Sequence, residues 1–188
     1  VIFVAEVAST CNEALLMEHL LAKTTDKKER AYLINHFLEQ FKSTLYRQTM
    51  FAEFELNIGR MAKEGQTLTA EVLSAEYRRL NEMYFGPDMV IDEEIALEWA
   101  RIPHFYYNYY VFQYATGYSA AIALSRRILR EGESAVQDYL GFLSGGCSKS
   151  PIDLLKGAGV DMTSPEPVNQ ALQLFGELLD EMEQLVQD

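Results

Sequence analysis

Two groups of residues in this chain have the types and spacing to do chemistry. The first lies in the opening stretch VIFVAEVASTCNEALLMEHLL, where Glu6 and Glu13 stand seven residues apart. At 3.6 residues per turn the two carboxylates fall on one stripe of a helix, together with Ile2, Phe3, Ser9, Thr10, Met17 and Leu20. Val4, Ala8, Cys11 and Leu15 fill the opposite side, which reads as a core helix carrying two buried acids. A buried carboxylate pairs with a cation, ligates a metal or shifts its pKa, because leaving it bare costs many kcal/mol. Spacing leaves both a metal site and a structural ion pair open. The second group is the stretch PHFYYNYYVFQYATGYSAAIAL, within a run from 102 to 125 that has no Asp, Glu, Lys or Arg. Read as a helix, it places His104, Tyr107, Tyr114 and Tyr118 within one face and Tyr110 at its margin. That is a ring of donors able to polarise a carbonyl or hold an oxyanion. The competing reading is aromatic packing, with the tyrosine hydroxyls satisfied at the edge of the core.

The elements that must position these residues are helical. The first helix runs to about Lys23, and Thr25 or Asp26 caps the next. Leu33, Phe37, Phe41, Leu45, Met50, Phe51, Phe54, Ile58 and Met61 then recur at three- and four-residue steps, predicting one long amphipathic helix from Lys27 to about Lys63. Thr69 opens a third helix that Gly86-Pro87 ends. A short fourth helix is expected from Asp92 to about Arg101, followed by the tyrosine-rich helix. Shorter helices at about 133–143 and 151–157 flank the loop SGGCSKSP, and Ser164 or Pro165 opens the last helix. The expectation is an all-α chain with residues 1–188 as one helical unit.

With 188 residues, 48% of them hydrophobic, the chain can bury a substantial core. Twenty-eight acids against sixteen bases give a net charge of −12, which argues against a nucleic-acid backbone or an anionic membrane as partner. The tyrosine-rich run has the length of a membrane span, but Asn108, Gln113, Thr116, Ser119, His104 and its tyrosines suit a polar cavity better than lipid. Cys11 and Cys147 form neither a metal-spaced pair nor a disulfide framework, which suits a reducing cytoplasm. The chain opens at Val1 in the middle of a helical pattern and reads as the tail of something longer.

Spacing excludes three other kinds of site, and leaves a Ser/His/Asp triad open although nothing resembles a nucleophile elbow. A dicarboxylate metal site of the ferritin kind needs Glu-x-x-His twice, but Leu16, Leu33 and Arg101 stand three residues before His19, His36 and His104. His-Glu-x-x-His is absent, since no two histidines are four apart, and His19 and His36 lie among charged neighbours as solvated residues. No strand precedes a glycine-rich loop of the kind that cradles phosphates.

FVAEVASTCNEALL, then HFYYNYYVFQYATGYSAA, then PIDLLKGAGVDMTSPEPV together resemble the C-terminal part of the oligoendopeptidase F group, in the thimet-oligopeptidase family of zinc metallopeptidases. The resemblance runs through the whole chain in order. It implies a mostly helical, prolate, zincin-type enzyme with a deep channel that admits short peptides, and one zinc ion on the channel wall. Carried over by position, Glu6 resembles the third zinc ligand and Glu13 the glutamate that orients a ligand histidine. His104 resembles the histidine that faces substrate. The family's transition-state tyrosines fall among Tyr107, Tyr110 and Tyr114, of which Tyr114, ten residues after His104, is favoured. The absent His-Glu-x-x-His would hold the other two zinc ligands and the general base, and the resemblance puts it some twenty to thirty residues before Val1. The chain alone is then expected to be inactive, with short peptides as substrates and the N-terminal remainder of the same protein as its partner. A helical scaffold or binding remnant without metal is the alternative.

Overall fold

The computed structural model describes residues 2–187, and among them no strand occurs. The helices are α1 (Ile2–Ala5), α2 (Val7–Lys23), α3 (Lys27–Gln40), α4 (Arg47–Lys63), α5 (Ala70–Phe85), α6 (Phe112–Glu131), α7 (Glu133–Ser144), α8 (Pro151–Gly157) and α9 (Glu166–Gln187). A π-helical turn, Phe41–Tyr46, joins α3 to α4, and two 3₁₀ segments, Glu93–Arg101 and Pro103–Tyr106, lie between α5 and α6. No helix among the described residues is long and apolar enough to cross a membrane.

The helix boundaries follow local chemistry. Asp26 accepts from the backbone N–H of Lys28 and Glu29, both at 3.0 Å, and opens α3. Thr69 caps α5 through the Val72 N–H, and Ser150, with Pro151 at the first helical position, caps α8. Gly86 ends α5 at φ 76°, a conformation that glycine adopts without steric cost. The predicted long helix from Lys27 is helical throughout, but the π-helical turn Phe41–Tyr46 interrupts it.

The chain gathers into two compact units. One holds the residues up to Leu45 and from Thr116 onward; the other is Tyr46–Ala115. In the first, Val7 and Cys11 of α2 pack with Ala120, Ala121 and Leu124 of α6, Tyr139 and Phe142 of α7, and Leu155 of α8. Small residues on α6 permit this close approach: a Cβ on Gly117 would lie 3.4 Å from the Phe3 carbonyl oxygen and 3.7 Å from a Val7 methyl. The Phe41 ring packs edge-on against Tyr118 and tilted against Phe37 and Phe175.

The second unit is built round Met50, Phe51 and Phe54 of α4, Tyr77 and Leu80 of α5, and Ile102 and Val111. Phe105 completes it, with its ring 5.2 Å from Phe51 and 5.1 Å from Phe54. At its edge the buried Glu98 carboxylate accepts from the Tyr77 hydroxyl and an Arg47 guanidinium, both at 2.7 Å, and pairs with Arg101. Burial pushes the Glu98 carboxyl up, but these hydrogen bonds and the two guanidinium charges outweigh it, and its pKa lies below the ordinary value.

Candidate active site

The structure corrects the first sequence expectation. Glu6 and Glu13 do share a stripe, but it is exposed, not buried. The side of α2 that enters the core carries Val7, Cys11, Ala14, Met17 and Leu21, while Ser9, Asn12, Leu16 and His19 face outward with the two acids. The misreading has a simple cause: Leu16 and Leu20 are 57% and 37% exposed, so hydropathy gives α2 no polar face. Glu6 also stands at a break, between the short α1 and α2, where its carbonyl oxygen accepts from the Thr10 N–H at 3.0 Å and the Ser9 hydroxyl at 2.9 Å. Among the described residues neither carboxylate has an ion-pair partner, which removes the buried salt bridge as an explanation of the pair. No group of three or more His, Cys, Asp or Glu side chains able to hold a metal occurs among the described residues. As an exposed oxygen donor Glu6 fits a role as one ligand among several; among the described residues it has no companions that complete a site.

The second expectation is corrected in its route. The run from 102 is not an α-helix until Phe112. Pro103 opens one 3₁₀ turn, after which Asn108 and Tyr109 both take left-handed conformations, at φ 58° and 62°. Asparagine tolerates this region, whereas tyrosine there is strained by roughly 1 to 2 kcal/mol. Ile102, Phe105 and Val111 plug the segment into the core of the second unit. The polar rings between these apolar pegs therefore turn outward, Tyr107 exposed and His104, Tyr110 and Tyr114 half-buried.

The result is a compact cluster. The Tyr114 hydroxyl lies 3.1 Å from His104 Nε2, a hydrogen bond whose direction depends on the histidine tautomer. The His104 ring centroid is 5.9 Å from Tyr107, 5.6 Å from Tyr110 and 5.8 Å from Tyr114. Tyr118 does not belong to it: it is a residue of the first unit, 4% exposed, with its ring on Phe41 and its hydroxyl without a partner. Burial, and after it the charge of Glu13, push the Tyr118 hydroxyl pKa far up, so it remains a neutral donor.

Sequence reasoning missed Glu55, which holds this turn. It is 5% exposed, and its Oε1 accepts from the Tyr109 backbone N–H at 3.1 Å; the Val111 N–H also bonds the carboxylate. Burial raises the Glu55 pKa, opposed by those two backbone bonds and by the nearby His104. A signal was present in FAEFELNIG, where Glu55 occupies a place on the apolar stripe between Phe51 and Ile58. A separate groove of about 740 Å³ in this unit, between Asn81 and Arg101, shares no residue with the histidine–tyrosine cluster.

The second unit thus ties a half-buried histidine to a half-buried tyrosine, and the first carries two exposed glutamates on one stripe of α2. The chain belongs to peptidase family M3, whose profile it matches over residues 1–174. It is 63% identical over 185 residues to oligopeptidase PepF of Bacillus subtilis (strain 168), a match covering 98% of this chain and 28% of that protein. It is 47% identical over 186 residues to the chromosomal oligoendopeptidase F of Lactococcus lactis subsp. cremoris, covering 99% of this chain and 31% of the other. The crystal structure of oligoendopeptidase-F from Enterococcus faecium superposes with a TM-score of 0.95 at 49% identity, covering all of this chain and 36% of that one. The chain thus spans about a third of the length of the relatives it matches, and the sequence-based resemblance is borne out at the level of family and fold.

Proposed function

We propose that this chain is the C-terminal part of the catalytic domain of a zinc metallo-oligopeptidase that hydrolyses short peptides. The single observation that carries the reading is the half-buried His104–Tyr114 contact, in a chain of a peptidase family. Zinc, when bound by the complete protein, would supply Lewis acidity toward water and the scissile carbonyl. Glu6 would be one of its ligands, with the two histidines of the His-Glu-x-x-His that the resemblance places upstream. Glu13, two turns along the same exposed face, orients one of those histidines through its free ring nitrogen.

The oxyanion side belongs to the second unit. With Nε2 protonated, His104 donates to the Tyr114 oxygen, leaving the Tyr114 O–H free to donate to a developing negative charge; the opposite tautomer spends that proton on the histidine. The first arrangement is the competent one, because a donor aimed at charge that grows in the transition state lowers the barrier. Tyr107 and Tyr110 border the pair and add further hydroxyl donors for the peptide backbone. The acidic chain, with one buried and one exposed free cysteine, suits a cytoplasmic enzyme that handles peptides and neither nucleic acid nor membrane.

In the full-length protein, Glu6→Gln is expected to lose most of its zinc and activity while the fold persists. Full zinc occupancy in that variant would overturn the ligand assignment. His104→Ala and Tyr114→Phe should lower kcat far more than they raise KM, and unchanged turnover would leave the cluster as aromatic packing.

A further inference from the structure

The histidine–tyrosine cluster sits on a backbone that its own sequence does not favour. Between His104 and Tyr114 the chain reverses through two consecutive left-handed residues, Asn108 and Tyr109, neither of them glycine. Such a turn persists only where its surroundings over-determine it. Two residues of α4, one helical turn apart, do this. Glu55 reaches from the core to the Tyr109 and Val111 backbone N–H groups, one on each side of Tyr110. Gly59 lies under the Tyr109 phenol so closely that a Cβ there would overlap its hydroxyl oxygen. Glu55 is thus a buried acid whose hydrogen bonds run to backbone, on the segment that carries every ring of the cluster. Its burial raises the cost of keeping it charged, and an apolar side chain would fill its place on the stripe without that cost.

We infer that Glu55 is a positioning residue: by clamping the Tyr109 and Val111 N–H groups, it sets the distance between His104 and the Tyr114 hydroxyl. Gly59 is the complementary space that lets the turn seat on α4. This rests on the reading of His104 and Tyr114 as the oxyanion side of the site. Glu55 itself touches no substrate; it acts through the backbone, and a shift of about 1 Å at such a site costs on the order of 100-fold in rate.

The test uses the full-length, zinc-loaded protein and a fluorogenic short peptide, with kcat, KM and hydrogen exchange at Tyr109 and Val111 measured in each variant. Glu55→Ala is expected to lower kcat roughly 10- to 100-fold with KM nearly unchanged, and to speed exchange at those two amides. Glu55→Gln keeps an acceptor oxygen and the side-chain volume, and should recover most of both. Tyr114→Phe should also lose turnover, and adding Glu55→Ala to it should cost little more, because the two changes disable one device. If Tyr114→Phe loses turnover while Glu55→Ala and Glu55→Gln keep it, the positioning role is overturned. An additive double variant overturns it as well. If Tyr114→Phe and His104→Ala both turn over normally, the oxyanion reading fails instead, and the positioning of that site falls with it whatever the amides show.

Discussion

The buried carboxylate of Glu98 offers a stability prediction whose size and sign can both be worked out. Its side chain is 8% exposed and takes hydrogen bonds from Tyr77 and Arg47 at 2.7 Å, with Arg101 as a third partner. Glu98→Gln preserves shape and removes the charge. The Arg101 side chain is 73% exposed, so solvent screens its share and its loss counts for little. The Tyr77 bond is buried, and the Arg47 side chain is 32% exposed. Removing the carboxylate charge from those two bonds costs about 1 kcal/mol each, and the mismatched amide N–H₂ adds up to about 1 more. The total is roughly 2 to 3 kcal/mol, which at a urea slope of about 2 kcal/mol/M moves the midpoint down by about 1 M. Trp99, the chain's one tryptophan, neighbours Glu98 and reports the transition by fluorescence. Because the folded-state pKa lies below the ordinary glutamate value, the stabilisation is fully present above that ordinary value and fades as pH falls through the folded one. The gap between parent and variant should therefore be full at pH 7 and close in acid. A gap absent at pH 7, or one that widens on acidification, would refute the assignment of that energy to the Glu98 charge.

Other predictions are simpler. Burial pushes the Cys11 thiol up to about 11, whereas Cys147 is exposed, so alkylation at pH 8 followed by peptide mass analysis should label Cys147 at once and Cys11 only after denaturation. Equal labelling in the native state would mean that α2 opens readily from the core. Asp26→Ala should cost about 1 kcal/mol and show first as faster exchange at the Lys28 and Glu29 amides, the two N–H groups it caps.

How far the sequence reaches depends on whether a signal is local. Asp26, Thr69, Gly86 and Pro151 each act within one turn of themselves, and the helices they bound appear where the spacing predicts. Ser164 likewise precedes α9, its hydroxyl accepting from the Glu166 N–H at 3.3 Å. The side of α2 that enters the core is not local information. Leu15, Leu16 and Leu20 make every face of that helix apolar on paper, and the packing of Val7 and Cys11 with α6, α7 and α8 decides that Glu6 and Glu13 point outward.

The pairing of His104 with Tyr114 is the more instructive case, because the expected contact occurs for a different reason. Ten residues of straight α-helix advance about 15 Å along the axis, too far for a hydroxyl to reach an imidazole at hydrogen-bond distance. An uninterrupted helix from Pro103 would therefore have kept these residues apart even on one face. The contact at 3.1 Å exists because the segment stops being helical at Tyr107, reverses through Asn108 and Tyr109, and resumes at Phe112. What makes that reversal hold is a residue more than fifty positions earlier, Glu55, and a glycine one turn beyond it. A site assembled by a strained turn needs its stabilising partner from elsewhere in the chain. The place to look for it in a sequence is an acid on an otherwise apolar stripe, as Glu55 is between Phe51 and Ile58.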